Sequence, residues 1–256
     1  MATVLSGTSG ALYYKPAGTK GTFAESGVNA TSNVITVDTY LNFKVGDPVE
    51  FSMVNVNTGA SGTGTLPAGL SAGTTYYVIG YTASTGALTV STSAGGSAVD
   101  ISDDGTAVSP NAFQVAYDDY TAVGQVREWS LEITRDEIDV TTIGATLGQY
   151  APFKTYITGY ANGQGKASVY LTDESETIAN RMVEDVLQRQ QVGAAFKLYI
   201  DRISSSGTVS DTLSRSISME AVLTSASLKV NPADAQVVEI NFRPSNAPSF
   251  DWSKTA

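Results

Sequence analysis

At 256 residues, 42% of them hydrophobic, the chain can form one large domain or two modest ones with a sizeable core, which excludes wholesale disorder. It contains neither cysteine nor histidine, so disulfides, thiolate metal sites and the usual general base are excluded, and ordinary enzymology becomes improbable. A net charge of −10 and a pI near 4.4 exclude tight binding to nucleic-acid phosphates, which needs clustered Lys and Arg.

The N-terminal MATVLSGTSGALYYKPAG has no basic patch followed by an apolar core, so no signal peptide is expected. No apolar run approaches the roughly 18–20 residues that a membrane span needs. Residues 1–112 hold three basic side chains (Lys15, Lys20 and Lys44) and seven acidic ones in a Gly, Ser, Thr and Ala background. Residues 113–256 hold twelve basic and eighteen acidic side chains. That shift is the best boundary evidence in the sequence, and within the first half a small all-β module is expected at roughly 28–108.

Within the insert, short β-prone runs alternate with turn residues. Strands are predicted at Asn33–Val37, Asp47–Met53, Thr74–Ile79 and Ala87–Ser91, with Gly59–Thr65 as a flexible loop. Asp100-Ile101-Ser102-Asp103-Asp104-Gly105 has some of the spacing of a calcium loop. However, Asn111 stands where the closing Glu belongs, so a turn with capping aspartates is expected and no metal site is assigned. Asp118-Asp119 likewise reads as a loop.

Val126–Thr134 alternates with a period of two. Trp129, Leu131 and Ile133 share one face; Glu128, Ser130, Glu132 and Thr134 share the other. This predicts a half-buried antiparallel strand with an acidic wet side. A polar loop of about fifteen residues, Arg135–Ala151, should follow, longer than the usual connection of about 4–6 residues. Such a loop invites reception by another subunit. Asp136, Glu137 and Asp139 could be proposed as a glycosidase pair, but adjacent residues on one loop seldom face each other across a cleft. Trp129 and Trp252 read as core or interface anchors rather than sugar platforms.

Gly163–Ala167 lacks the first glycine and the terminal Ser/Thr of a phosphate loop and reads as a hairpin turn. Asn29-Ala30-Thr31 is a glycosylation sequon by pattern only, without a secretory context. Asp173–Gln191 shows a helical stripe of Ile178, Met182, Val183, Val186 and Leu187, with its charged face (Arg181, Glu184, Asp185, Gln188) expected in solvent. Strands are predicted at Lys166–Leu171, Ala195–Ile200, Ser216–Val230 and Gln236–Phe242, with turns at Ser204–Gly207 and Asn231–Asp234. The expected fold is mainly β: a two-sheet sandwich or open barrel with one flanking helix, plus a small all-β inserted domain. Alternation places Glu220 and Glu239 opposite the apolar faces of their strands, as it does Glu128 and Glu132.

The run Ser6–Tyr14 (SGTSGALYY), then Gly124–Leu131, then Asp136–Gly144 (DEIDVTTIG) and Thr158-Gly159-Tyr160 together resemble the major tail tube proteins of long-tailed bacteriophages. The resemblance covers about residues 1–25 and 113–256. Residues 28–108 depart from the family pattern, so it implies a tail-tube-like unit of 1–27 with 109–256 and an inserted β domain, 28–108, on the outer surface. Leu66–Leu70 followed by Gly73–Val78 is similar to small β modules of several phage structural proteins. The resemblance implies a non-enzymatic subunit of the virion tail, assembled in the host cytoplasm with no cofactor, catalytic site or membrane contact. It implies stacked homo-oligomeric rings, hexameric for a single copy of the motif, that contact other tail proteins and pass double-stranded DNA without binding it specifically. On that reading Glu128, Glu132, Glu220 and Glu239 face the lumen and repel phosphate. Arg135, Asp136, Glu137, Asp139, Thr141, Gln149 and Tyr150 then belong to the loop that reaches an adjacent ring. Two other classes are weighed against it: a host-surface or glycan-binding module of another tail component, and a glycan hydrolase that uses only carboxylates.

Overall fold

The computed structural model describes residues 9–124, 126–141, 154–170, 178–205, 207–229 and 235–252. In chain order come β1 (Ala11–Lys15), β2 (Lys20–Phe23), β3 (Val28–Asn29), β4 (Val34–Thr36), β5 (Pro48–Asn55), β6 (Tyr76–Thr82), β7 (Ala87–Ser91) and β8 (Asn111–Tyr117). Next are β9 (Thr121–Ala122), β10 (Val126–Asp139), β11 (Tyr156–Tyr170) and the helix α1 (Ile178–Asp185). The chain continues through β12 (Ala195–Asp201), β13 (Ser204–Ser205), β14 (Thr208–Val209), β15 (Arg215–Lys229), β16 (Val237–Pro244) and β17 (Ser249–Asp251). The fold is mainly β, as expected: among the described residues there are two large antiparallel sheets, a two-stranded ribbon and one short α-helix, with no closed barrel.

The first sheet runs β10-β11-β16-β15-β12-β1-β9, with β17 added beside β15. Its pivot is β15. Arg215–Glu220 pairs with β12, whereas Ala221–Lys229 pairs with β16, with a register shift between Leu223 and Ser225. Phe196 of β12, opposite Met219, and Phe242 of β16, opposite Leu223, stack with ring centroids 4.2 Å apart, so the strands on either side of β15 share one aromatic contact. Gly165, opposite Phe242, makes room for this: a Cβ there would fall 2.1 Å from the Phe242 ring. Residues 163–167 are therefore mid-strand in β11, not a hairpin turn. The glycine serves ring packing rather than chain reversal. Leu12, Tyr14, Leu198, Met219, Leu223 and Ile240 complete the core, and Ala179 and Met182 of α1 cover it.

The second sheet runs β2-β8-β5-β6-β7-β4-β3 around its own core of Phe23, Ile35, Phe51, Val78, Leu88 and Phe113. Both β2 and β8 belong to it: Lys20–Phe23 pairs with Phe113–Ala116. The expected seams at 27/28 and 108/109 thus fall within one sheet, and the chain changes sheets between Lys15 and Lys20 and between Tyr117 and Thr121. Composition could not register this, because Phe23, Phe113 and Val115 are assigned by pairing and burial rather than by residue type.

The helix is shorter than expected, ending at Asp185 instead of Gln191. The expected start at Asp173 and the expected Asn231–Asp234 turn lie outside the described residues. Leu187, placed on the apolar stripe by periodicity, falls past the last helical turn and is 88% exposed.

Candidate functional site

Two surfaces hold the site residues that the sequence singles out, and a polar seam between the sheets is a third feature. The first is the polar face of the first sheet. Glu128 lies opposite Ser168, whose Oγ donates to Glu128 Oε1 at 3.3 Å, and Ser168 lies opposite Glu239. Glu132 lies opposite Gln164, one place beyond the last β11–β16 pair, Gly165 with Phe242. All three glutamates therefore share the face opposite the core. That face is not purely acidic: Lys166 pairs with Glu239 at 3.0 Å, and Arg243 is exposed on the same side. Glu220 follows the same alternation but stands at the β12 end of β15. There it lies 3.9 Å from Lys20 Nζ and accepts from Asn246 Nδ2 at 3.4 Å.

The second surface is a projecting arm. β11 pairs with β16 only over Gly165–Tyr170, so beyond that point it hydrogen-bonds to β10 alone. The expected loop from Arg135 is a correction: Arg135, Asp136, Glu137 and Asp139 are strand residues of β10, and Val140 N still donates to Thr155 O at 2.9 Å. Gly159 and Tyr160 together oppose the single Asp136, a bulge that bends the ribbon. Thr141 follows the strand and ties its two sides: Thr155 N donates to its Oγ1, and Thr141 N donates to Asp139 Oδ1. The Thr141 hydroxyl and amide, then Lys154 at 3.2 Å, hold the Asp139 carboxyl below its ordinary range. Gln149 and Tyr150 lie outside the described residues. The arm exposes Ile138 and Ile157, a directly opposed pair, together with Tyr156 and Tyr160.

Two stretches of strand edge accompany this arm. Among the described strands, β10 pairs on one side only, along its 14 residues. At Leu223 the second edge of β15 is occupied by Gln191, whose side-chain amide accepts from Leu223 N (2.7 Å) and donates to Leu223 O (3.1 Å). Past that cap, β15 pairs with β16 alone among the described strands.

The third feature was missed by sequence reasoning: a buried polar seam between the two sheets. Asp185 Oδ2 accepts from Tyr14 Oη (2.8 Å) and Ala17 N (2.9 Å), and its Oδ1 accepts from Asn42 Nδ2 at 2.6 Å. Arg181 Nη1 meets Asp47 Oδ1 at 2.5 Å with both side chains 8% exposed, and its Nη2 donates to Asn42 O. Lys44 reaches Glu184 at 2.6 Å nearer the solvent. The helix face expected in water is therefore its docking face. Burial drives the Asp185 carboxyl up, against the Tyr14 and Ala17 hydrogen bonds and the nearby Arg181 and Lys44. The only sequence signal was Arg181 and Asp185 one turn apart, flanking the apolar Met182.

No cluster of three or more metal-ligating acidic residues occurs among the described residues. Asp103 of the calcium-like run accepts instead from Ala68 N and Gly105 N, both at 2.9 Å, as a turn cap. No described helix is long and apolar enough to cross a membrane.

No protein-family model matches the sequence, and no curated protein matches it. Among solved structures, the chain is similar to one from a virion of a native gene transfer agent particle: 12% identity over 52% of this chain and 88% of that one, TM-score 0.37. It is also similar to one from the tail of an empty gene transfer agent particle, refined with C6 symmetry: 13% identity, 52% and 86% coverage, TM-score 0.39. At that level of superposition the likeness carries no inference about function.

Proposed function

We propose that this chain is a structural, non-enzymatic subunit of a phage-like tail, and specifically of its tube, assembling into stacked rings around a conduit for double-stranded DNA. The observation that carries the reading is the first sheet's incomplete pairing. Its 14-residue edge strand β10 pairs only with β11, and in the arm beyond Gly165 β11 pairs only with β10, so both strands leave a second side unpaired among the described strands. Long open edges are aggregation sites unless a partner covers them, and a ring of copies joined edge to edge covers them all. Six copies is the natural number for a chain that carries the tube motif once.

In that ring the polar face with Glu128, Glu132 and Glu239 lines the lumen, with Glu220 at its margin. Core, helix and second sheet lie behind it: α1 covers the apolar face, and the second sheet is bound to α1 through Arg181 and Asp185. Because Lys166 and Arg243 share the face, slippage of DNA depends on a hydrophilic lining of mixed sign with a small acidic excess rather than on a wall of carboxylates. The arm residues Arg135, Asp136, Glu137, Asp139 and Thr141, with Gln149 and Tyr150 beyond them, contact the adjacent ring.

Electron microscopy of the purified protein tests the reading. Rings or tubes with a pore wide enough for duplex DNA are expected; a monomer that instead binds bacterial surfaces would replace it with the host-binding module. Within assembled tubes, reversing charge at Glu128 and Glu132 should impair genome delivery more than assembly. Unchanged infectivity would remove the lumen role.

A further inference from the structure

The chain exposes a second apolar surface, far in sequence from the arm, where the two sheets meet. A groove of about 540 Å³ is lined by Tyr40, Phe43, Tyr81, Leu187, Gln188 and Arg189. Its lips are unusually apolar for open surface: Leu187 is 88% exposed and Tyr40 68%. Tyr40 also holds φ at +60°, a left-handed conformation costing about 1–2 kcal/mol that bulky residues rarely adopt. An exposed aromatic ring held at that cost gives a reason to look for a partner at this groove.

The arm is the counterpart. Its Ile138–Ile157 pair needs an apolar cover, as a two-stranded ribbon alone is marginal in water. Asp136 stands on the same face of β10 as Ile138, with Glu137 next to it, and neither forms an ion pair among the described residues. Arg189, at the groove, forms none either. Apolar surface therefore matches apolar surface, and carboxylate matches guanidinium.

We infer that the Ile138–Ile157 face of the arm seats in the Tyr40–Leu187 groove of a second copy, with Asp136 or Glu137 meeting Arg189. Two different patches of one chain make a heterologous contact, which propagates from copy to copy instead of closing as a dimer. This inference rests on the tube reading and adds to it the receiver of the arm: the seam between α1 and the second sheet.

Because the native chain has no cysteine, the contact can be trapped with the double variant Ile157→Cys/Leu187→Cys. Oxidised tubes of this variant should give a ladder of covalent dimers, trimers and higher species on non-reducing gels, and each single variant should give none. Leu187→Glu, at a site too exposed to affect folding, should leave rings and Tm unchanged but reduce stacking at least tenfold. Tubes without a ladder overturn the inference while leaving the tube reading intact, as do closed dimers from Leu187→Cys alone. Retention on cell-envelope glycan that is lost in Tyr40→Ala, without a ladder, assigns the groove to a sugar and overturns it as well. A protein that never forms rings sinks both.

Discussion

Replacing Asp185 with alanine strips the acceptor from Tyr14 Oη, Ala17 N and Asn42 Nδ2 at once, all within the buried seam. Breaking a buried charged network in this way costs about 3–5 kcal/mol. Thermal melting should therefore show a drop in Tm on the order of 10 °C. Asp185 also gives the seam a pH dependence of predictable sign. Its folded-state carboxyl titrates higher than in the unfolded chain, burial being the main cause, so its contribution is fully present below the unfolded value and lost as pH rises through the folded one. Between about pH 7 and pH 4, the Tm of the native chain should rise relative to that of Asp185→Asn; a constant difference across that range would refute the assignment. Gly165→Ala should destabilise by about 1–3 kcal/mol, since the new methyl group meets a Phe242 ring already stacked on Phe196.

At the scale of elements, the arm and the helix show what could be read from residue order. Alternation located β10 correctly as far as Thr134 because Trp129 and Leu131 alternate against a core. Beyond Arg135 both faces of the ribbon meet water, so burial no longer enforces a period and the charged run looks like a loop. Since none of the described residues of the distal arm belongs to either core, replacing residues 136–159 with a two-residue turn should shift Tm by only a few degrees. The same deletion should abolish stacked tubes in electron micrographs. The helix was legible through Ile178 and Met182, but the partner of its charged face was not, because Asn42 and Asp47 lie more than 130 residues away in the chain.

For the whole molecule, two cores joined through a buried ion pair should behave as one cooperative unit. Calorimetry of the native chain is expected to show a single transition. Arg181→Ala leaves the Asp47 carboxylate buried and unpaired, at a cost of about 3–5 kcal/mol at the seam. The variant should resolve into two transitions, one per sheet. Persistence of one transition would mean that the joint depends on something other than this network.

Composition, alternation and turn residues by themselves determined a mainly β chain in two textures, one helix, and strands whose glutamates (Glu128, Glu132, Glu239) lie opposite their own apolar faces. These are local properties: a strand's period and a helix's stripe are written in neighbouring residues. Tertiary structure alone decided that β2 and β8 belong to the second sheet, that Gly165 accommodates a ring, that Lys166 tempers the acidic face, and that Arg181 and Asp185 are buried. Each of those depends on which distant residues meet, and the free energy of burying a charge or filling a space exists only once the partner across the sheet has been chosen.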